Sequence, residues 1–359
     1  MKVTIVPFFI SHRGCPHRCV FCDQRKVAGA EDVLPAPAEI LDRVAAYRRS
    51  SGSGSVEVAF YGGSFTGLPR EEQELLLKPL QPLLASGEVS GVRVSTRPDS
   101  VDNRCAAFLG RMGVATVELG VQSLDDRVLE LAGRGHSAAH VAAAVSALKG
   151  EGIRVGLQLM PGLPGDSAET SLASLAGTLA LAPDFMRIYP TVVLVGTRLA
   201  ELFAAGSYRP LTLQQAVALC KVMLHRAMLA RVPVIRMGLQ PTEDLGQGGA
   251  VVAGPYHPAF RQLAEAELRY DLLVRLAAEV PRDGAAVEVS CSPGRVSDVV
   301  GQRRSNLKRL LREQGVRVSA VRGDPLLSSP DMAVAGPHGV RSGNILTDLK
   351  YSDKDINYV

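Results

Sequence analysis

A chain of 359 residues that is 46% hydrophobic and 21% charged has the composition of an ordinary folded protein of two to three domains, which excludes a disordered, collagen-like or disulfide-stapled chain. Its apolar runs are strand-sized, well short of the ~20 residues a membrane span needs, so no membrane helix is expected. The start, Met1-Lys2-Val3-Thr4-Ile5-Val6, enters a β-rich run without the basic stretch and cleavage site of a secretory leader, which predicts a cytoplasmic protein. The formal net charge of +4 becomes informative because it is concentrated: from Arg295 to Arg322 eight basic residues face two acids, Asp298 and Glu313.

In chain order, β-branched runs predict strands at Val3–Phe9, Val56–Phe60, Val92–Ser95, Ala115–Leu119, Ile153–Leu159 and Phe185–Tyr189, with a seventh at Val232–Arg236. Helical patterns lie between them at Ala38–Arg49, Glu71–Leu84, Val101–Arg111, Asp125–Ala132, Ala138–Lys149, Glu169–Leu181 and Leu213–Ala230. Thr212 and Gln215 form the capping box of the last. This alternation predicts an α/β fold with a parallel sheet wrapped as a partial or complete (β/α) barrel over residues 1–240. The Ser50–Ser55 stretch is a flexible loop inside that domain.

After residue 240 the rhythm changes. The Gly-rich loop Gly246–Gly249 and a helix around Pro258–Val280 make a connecting segment, 241–280. A small α+β module follows at 281–322: strand Val287–Ser290, helix, tight loop, helix, strand Val316–Val321. The tail 323–359, rich in Gly, Pro, Ser and Asp, is expected to be poorly ordered. No internal repeat is visible.

Of six cysteines, Cys105, Cys220 and Cys291 have no partner at ligand spacing and read as buried thiols. The other three, Cys15, Cys19 and Cys22, form CxxxCxxC directly after the first strand, the crowding of a metal site and not of a disulfide framework. Thiolates select zinc or an iron–sulfur cluster. A structural zinc needs a fourth ligand, which His12 or His17 offers. A 4Fe-4S cluster on three cysteines instead leaves one iron open for a non-protein ligand.

The loop resembles the signature of the radical S-adenosylmethionine (SAM) superfamily, CxxxCxφC, with Phe21 as the aromatic. The resemblance implies that Cys15, Cys19 and Cys22 hold a 4Fe-4S cluster, that SAM chelates the open iron, and that reduction by an electron donor such as flavodoxin or ferredoxin yields a 5'-deoxyadenosyl radical. In a parallel barrel the site lies at the C-terminal ends of the strands. Each end carries suitable punctuation: Gly62, Gly63 and Ser64 after the second strand, Thr96 and Arg97 after the third, Glu118 and Gln122 at the fourth, Met160 after the fifth and Tyr189 after the sixth. The implied roles are orientation of SAM by Gly62, Gly63 and Ser64, and shaping of its ribose and adenine side by Arg97, Glu118, Gln122 and Met160.

Longer phrases narrow the resemblance. Ser95-Thr96-Arg97-Pro98-Asp99, Val117 to Ser123, Arg134-Gly135-His136, Met160-Pro161-Gly162-Leu163-Pro164 and Arg187-Ile188-Tyr189-Pro190-Thr191 are similar to the radical SAM domain of the Elongator catalytic subunit family, from about residue 5 to 260. That family modifies the wobble uridine of tRNA, which implies tRNA as partner and acetyl-CoA as cosubstrate. It also carries an acetyltransferase domain, and the roughly 100 residues after the radical domain here are too few for that fold.

The module at 281–322 is similar to a KH RNA-binding core, whose GxxG loop clamps a nucleic-acid backbone. Here the second glycine is Arg304, and Arg295, Arg303, Arg304 and Lys308 are the expected phosphate contacts. Two other functions remain open at this point: a radical SAM enzyme for a small metabolite or porphyrin-like substrate, and a zinc-stabilised RNA-binding adaptor without catalysis. Oligomeric state is not legible.

Overall fold

The computed structural model describes residues 3–10, 12–23, 33–51, 54–240, 249–281 and 283–352. The chain divides into two units, Met1–Pro210 with Leu239–Gly254, and Leu211–Gly238 with Pro255–Val359. The division falls earlier than the expected boundary at 240. The reason is that helix Leu213–Leu229 is tied to later residues: Lys221 Nζ donates to Asp271 Oδ2 at 2.6 Å, and the His225 ring meets the Ile345 carbonyl at 3.0 Å. Most of the Gly-rich loop at 246–249 lies outside the described residues, as do residues 353–359 of the tail.

The first unit is built on six parallel strands in sequence order: β1 (Val3–Phe9), β2 (Ser55–Tyr61), β3 (Gly91–Thr96), β4 (Val114–Gln122), β5 (Arg154–Leu159) and β6 (Phe185–Ile188). Helices separate them, as the α/β alternation predicts. Among the described residues β1 pairs with β2 alone, so within this unit the sheet is a partial barrel and not a closed one. Along β2 to β6 residues alternate between faces with period two. Val58, Phe60, Val92, Val94, Val117, Leu119, Val155, Leu157, Met186 and Ile188 bury an apolar face. The opposite face carries Glu57, Tyr61, Arg93, Glu118, Gln158 and Arg187, a polar set of the kind a site needs and a packed core does not.

In the second unit β7 (Val287–Cys291) runs parallel to β8 (Val318–Gly323) and antiparallel to β9 (Asp331–Gly336), and β9 pairs with β10 (Gly339–Asn344). The hairpin β9–β10 corrects the expectation of a poorly ordered tail. Met332 and Val334 are buried, and β9 gains its ladder from β7, forty residues earlier, a pairing that local composition does not reveal. Helices Leu213–Leu229 and Phe260–Glu279 pack against each other. Cys105, Cys220 and Cys291 are buried free thiols, as read from sequence. No helix among the described residues is long and apolar enough to cross a membrane.

Candidate active site

The loop after β1 is fastened to the loop after β2. The Ile10 N–H donates to Tyr61 O at 2.8 Å, His12 N–H to Gly62 O at 3.1 Å, and Ser64 N–H to Arg13 O at 2.8 Å. The approach is close enough to require glycine: a Cβ on Gly63 would lie 2.4 Å from Ile10 O, and one on Gly14 2.1 Å from Ser64 O. The Gly62-Gly63 pair therefore has a packing role in addition to any ligand it meets. Ser64 is fully buried. Its Oγ lies 3.0 Å from Thr96 Oγ1 and accepts from Arg97 N–H at 3.3 Å, joining the ends of β2 and β3.

Three free thiols sit on this loop, Cys15 exposed, Cys19 and Cys22 half-buried. Cys22 N–H donates to Cys19 O at 3.1 Å, so the last two share one turn. The Cys15 thiol is pushed up, first by desolvation and then by Cys19 beside it, while Arg97 and Arg134 pull it down. Phe21, the aromatic of the motif, anchors the loop by packing on Val128, Ala132 and Leu163, where Met160 joins it. Among the described residues no three His, Cys, Asp or Glu side chains are gathered as metal ligands, the cysteines included. The donor set is nonetheless one that suits an iron–sulfur cluster: three soft thiols on one anchored loop beside two arginines. Of the two histidines that could complete a closed zinc set, His17 is held elsewhere. The His17 ring lies instead against Gly135, where a Cβ would come within 2.4 Å of its Nε2.

Arg97 is buried and clamps Asp99 through two bonds of 3.0 and 2.9 Å, while its Nη2 also donates to the Arg134 carbonyl. Arg134 in turn extends Nη1 to Cys19 Sγ at 3.3 Å and Nη2 to Gly120 O at 2.5 Å. A chain of contacts thus runs from Asp99 at the end of β3 to a motif cysteine. Arg97 belongs to this scaffold through its Nε and Nη2. His136, 5% exposed, sets its Nε2 3.1 Å from Val121 O. Desolvation and then Arg134 push its imidazole down to about 3, so it is neutral.

On the polar face Glu118 sits at the centre of an ion network. Its Oε1 accepts from Arg93 at 3.0 Å and Arg187 at 2.8 Å, with the Tyr61 hydroxyl at 3.5 Å; Arg93 also donates to Glu57 at 2.9 Å. Burial, then the Glu118 charge, push the Tyr61 phenol up to about 12. The Arg187 guanidinium, despite desolvation, is held above its usual range by Glu118. Glu118 is consequently a paired carboxylate. Gln122 closes β4 at a positive φ of 69° and accepts from Gln158 Nε2 at 3.1 Å; Met160 N–H donates to its carbonyl at 2.9 Å. The Tyr189 hydroxyl accepts from Arg187 at 3.4 Å.

Sequence reasoning passed over Arg93, Arg134, His136, Gln158 and Arg187 as site residues. The period-two recurrence of polar side chains on strands of a parallel sheet was the available signal for three of them, Arg93, Gln158 and Arg187, since buried strands are otherwise near-continuously apolar. Arg134 and His136 stood in a quoted phrase, but their contacts are not local.

In the second unit Arg295 is engaged by Glu265 and Asp298, which removes it from the free phosphate contacts. Arg309, Arg312 and Arg322 pair with Glu267, Glu313 and Glu288. Arg303, Arg304, Lys308 and Arg317 are exposed and make no salt bridge among the described residues. Arg303 and Arg304 both hold positive φ, 52° and 63°, directly before helix Ser305–Gln314.

Residues 9–175 match the radical SAM superfamily and residues 183–270 the radical SAM C-terminal domain. The chain is 29% identical over 226 residues to "Uncharacterized protein MJ0486" of Methanocaldococcus jannaschii, covering 59% of this chain and 69% of that one. It is 26% identical over 259 residues to the tRNA uridine(34) acetyltransferase of Methanocaldococcus infernus, covering 60% of this chain and 48% of that protein. It thus spans about half the length of that relative. Among solved structures, Methanocaldococcus infernus Elp3 with an N-terminal deletion shares the fold at a TM-score of 0.59 and 22% identity, over 76% of this chain and 63% of that one. The matched segments run from the cysteine loop through β6 and beyond, and the chain belongs to the radical SAM superfamily of enzymes, resembling its Elongator-3 homologues.

Proposed function

We propose that this protein binds a 4Fe-4S cluster through Cys15, Cys19 and Cys22, cleaves SAM, and acts on tRNA at the wobble uridine. The observation that carries the first part is the cysteine loop itself, locked onto Gly62 and Gly63 and touched by Arg134 at the C-terminal edge of a parallel sheet, where catalytic groups of such folds collect. Bound there, the cluster supplies the one-electron reduction of SAM. The protein's own part is to hold and enclose. Arg134 donates to a cluster ligand, Gly62 and Gly63 offer backbone to the SAM amino group, and Gln122, Met160 and Tyr189 line the side where ribose and adenine fit. Glu118, fixed between two arginines, keeps the polar face rigid and charge-balanced.

The tRNA reading is supported by the relative named for uridine 34 and by four exposed cations of the second unit, Arg303, Arg304, Lys308 and Arg317. Its strand–helix–loop–helix–strand order is that of a KH-like module, and Arg303, Arg304 and Lys308 flank the loop that would grip phosphates. Acetyl-CoA enters only as a variable of the test.

The test is 5'-deoxyadenosine formation by anaerobically reconstituted protein with SAM and reductant, under four conditions: no addition, acetyl-CoA, total tRNA, and both. Stimulation by tRNA supports the full reading. A rate indifferent to tRNA sinks the tRNA assignment and turns the search to small metabolites, and absence of 5'-deoxyadenosine in every condition sinks the SAM assignment.

A further inference from the structure

The second unit contains a cavity of about 500 Å³ whose wall includes Arg231, Arg261, Glu265, Arg269, Arg295 and Ser329. None of these serves the cysteine site. Four guanidiniums meet one carboxylate on the wall, and Asp298, bonded to Arg295 at 3.2 Å, is the second acid in reach. Arg261 Nε donates to Glu265 Oε1 at 2.8 Å, and Arg295 Nη1 donates to Glu265 Oε2. Both carboxylates are thereby used.

Two arginines are left over. Arg269 is 3% exposed, yet its described bonds go only to carbonyls, Glu265 O at 3.3 Å and Ser329 O at 3.2 Å. Burial, and then repulsion from Arg295, push its guanidinium down. Arg231 stands just beyond helix Leu213–Leu229 with a positive φ of 57° and no side-chain hydrogen bond or salt bridge among the described residues. Elsewhere in this unit Arg309 finds two carboxylates, Glu267 and Glu313. Arg231 is exposed and needs no partner, but a purely structural Arg269 would be matched in the same way, because an uncompensated buried charge is strongly destabilising.

We propose that this cavity binds a phosphate monoester. The excess of two positive charges matches the near-dianion of a monoester at neutral pH, whereas each backbone phosphodiester carries a single charge. Guanidinium forks suit phosphate oxygens bidentately. A volume of about 500 Å³ lies in the range of small-ligand sites and leaves room for a nucleoside attached to the phosphate. The monoester is either a free nucleotide or the phosphorylated end of an RNA strand, and the two are separable.

The test uses the full chain, without iron or SAM, so its outcome is independent of the radical chemistry. Binding is measured by calorimetry at constant ionic strength with inorganic phosphate, uridine 5'-monophosphate, and one RNA oligonucleotide carrying either a 5'-phosphate or a 5'-hydroxyl. The expected result is saturable binding of at least one monoester, weakened tenfold or more by Arg231→Ala and unchanged by Arg312→Ala, an exposed arginine outside the cavity wall. Preference for the phosphorylated oligonucleotide identifies the RNA end as source, and preference for the free nucleotide identifies the small molecule. Binding no stronger than that of chloride for all phosphates, or binding to Arg231→Ala equal to wild type, overturns the proposal.

Discussion

The guanidinium of Arg134 donates to the sulfur of Cys19 at 3.3 Å, across 115 positions of sequence. The same group grips the Gly120 carbonyl at 2.5 Å, so one side chain holds a motif cysteine to the end of β4. Partners that hydrogen-bond a metal ligand typically contribute ten- to a hundredfold to affinity or activity. Arg134→Met is therefore expected to lower retained iron and 5'-deoxyadenosine yield by about ten- to a hundredfold, with Arg134→Lys intermediate because it keeps charge without the fork. Iron and sulfide per chain after reconstitution check this, and wild-type iron retention in Arg134→Met would contradict it.

Gly63→Ala forces a Cβ to 2.4 Å from the Ile10 carbonyl, a backbone contact with no flexible end to yield. Overpacking of this kind costs about 1–3 kcal/mol. Gly150→Ala, where nothing lies within 4 Å, is expected to be neutral or stabilising by about 0.5–1 kcal/mol. Urea denaturation of the two variants should place them on opposite sides of wild type.

Glu118→Gln leaves Arg187 without its carboxylate, while Arg93 keeps Glu57 at 2.9 Å. Breaking one side of a buried pair costs about 3–5 kcal/mol. The double variant Glu118→Gln with Arg187→Met removes the stranded charge and should regain more than half of the loss. A double variant no more stable than Glu118→Gln alone would show that the network is not what holds this face together.

His136 gives a pH signature. Its folded imidazole stays neutral down to about 3, against an unfolded value of 6.5. Between those values the unfolded chain binds the extra proton, so the contribution is intact above pH 6.5 and is lost as pH falls through this window. Wild type should lose up to about 1.4 kcal/mol per pH unit more than His136→Asn between pH 6 and 4. Denaturation series at pH 7, 6 and 5 measure the difference, and parallel curves would refute it.

If Arg303, Arg304 and Lys308 each meet a phosphate, replacing all three with alanine should reduce the slope of log K against log salt for tRNA by about two to three. An unchanged slope would remove these residues from the RNA interface. None of the three residues belongs to the cysteine loop or its contacts, so SAM cleavage without RNA is the internal control.

Much of the first unit was readable because its signals are local. The β-branched runs at residues 3, 56, 92 and 153 begin within a residue of strands β1, β2, β3 and β5, and Thr212 with Gln215 caps its helix as expected, the Gln215 N–H donating to Thr212 Oγ1 at 3.2 Å. The hairpin β9–β10 escaped because β10 carries one apolar side chain, Val340, and its turn, Pro337-His338 between paired Gly336 and Gly339, looks like tail composition. In the site the motif cysteines were legible as spacing. The purpose of Ser64 was not: only the fold shows its hydroxyl bonded to Thr96 and Arg97. The basic run was half misread, because the acids that neutralise Arg295, Arg309 and Arg322 lie mostly elsewhere in the chain, at Glu265, Glu267 and Glu288.

The interleaving of the two units sets an order for synthesis on the ribosome. Helix Leu213–Leu229 emerges early, but Asp271 and Ile345, its partners in the second unit, are made 50 and 120 residues after the positions they contact. Until then Leu219, Cys220, Val222 and Met223, all buried in the finished protein, have no cover from that unit. The nascent chain consequently passes through a long interval with an apolar helix exposed, a state prone to aggregation. A premature stop between residues 230 and 259, before helix Phe260–Glu279 that packs on it is made, would make that interval permanent, so such truncations are expected to be insoluble even where the cysteine loop is intact.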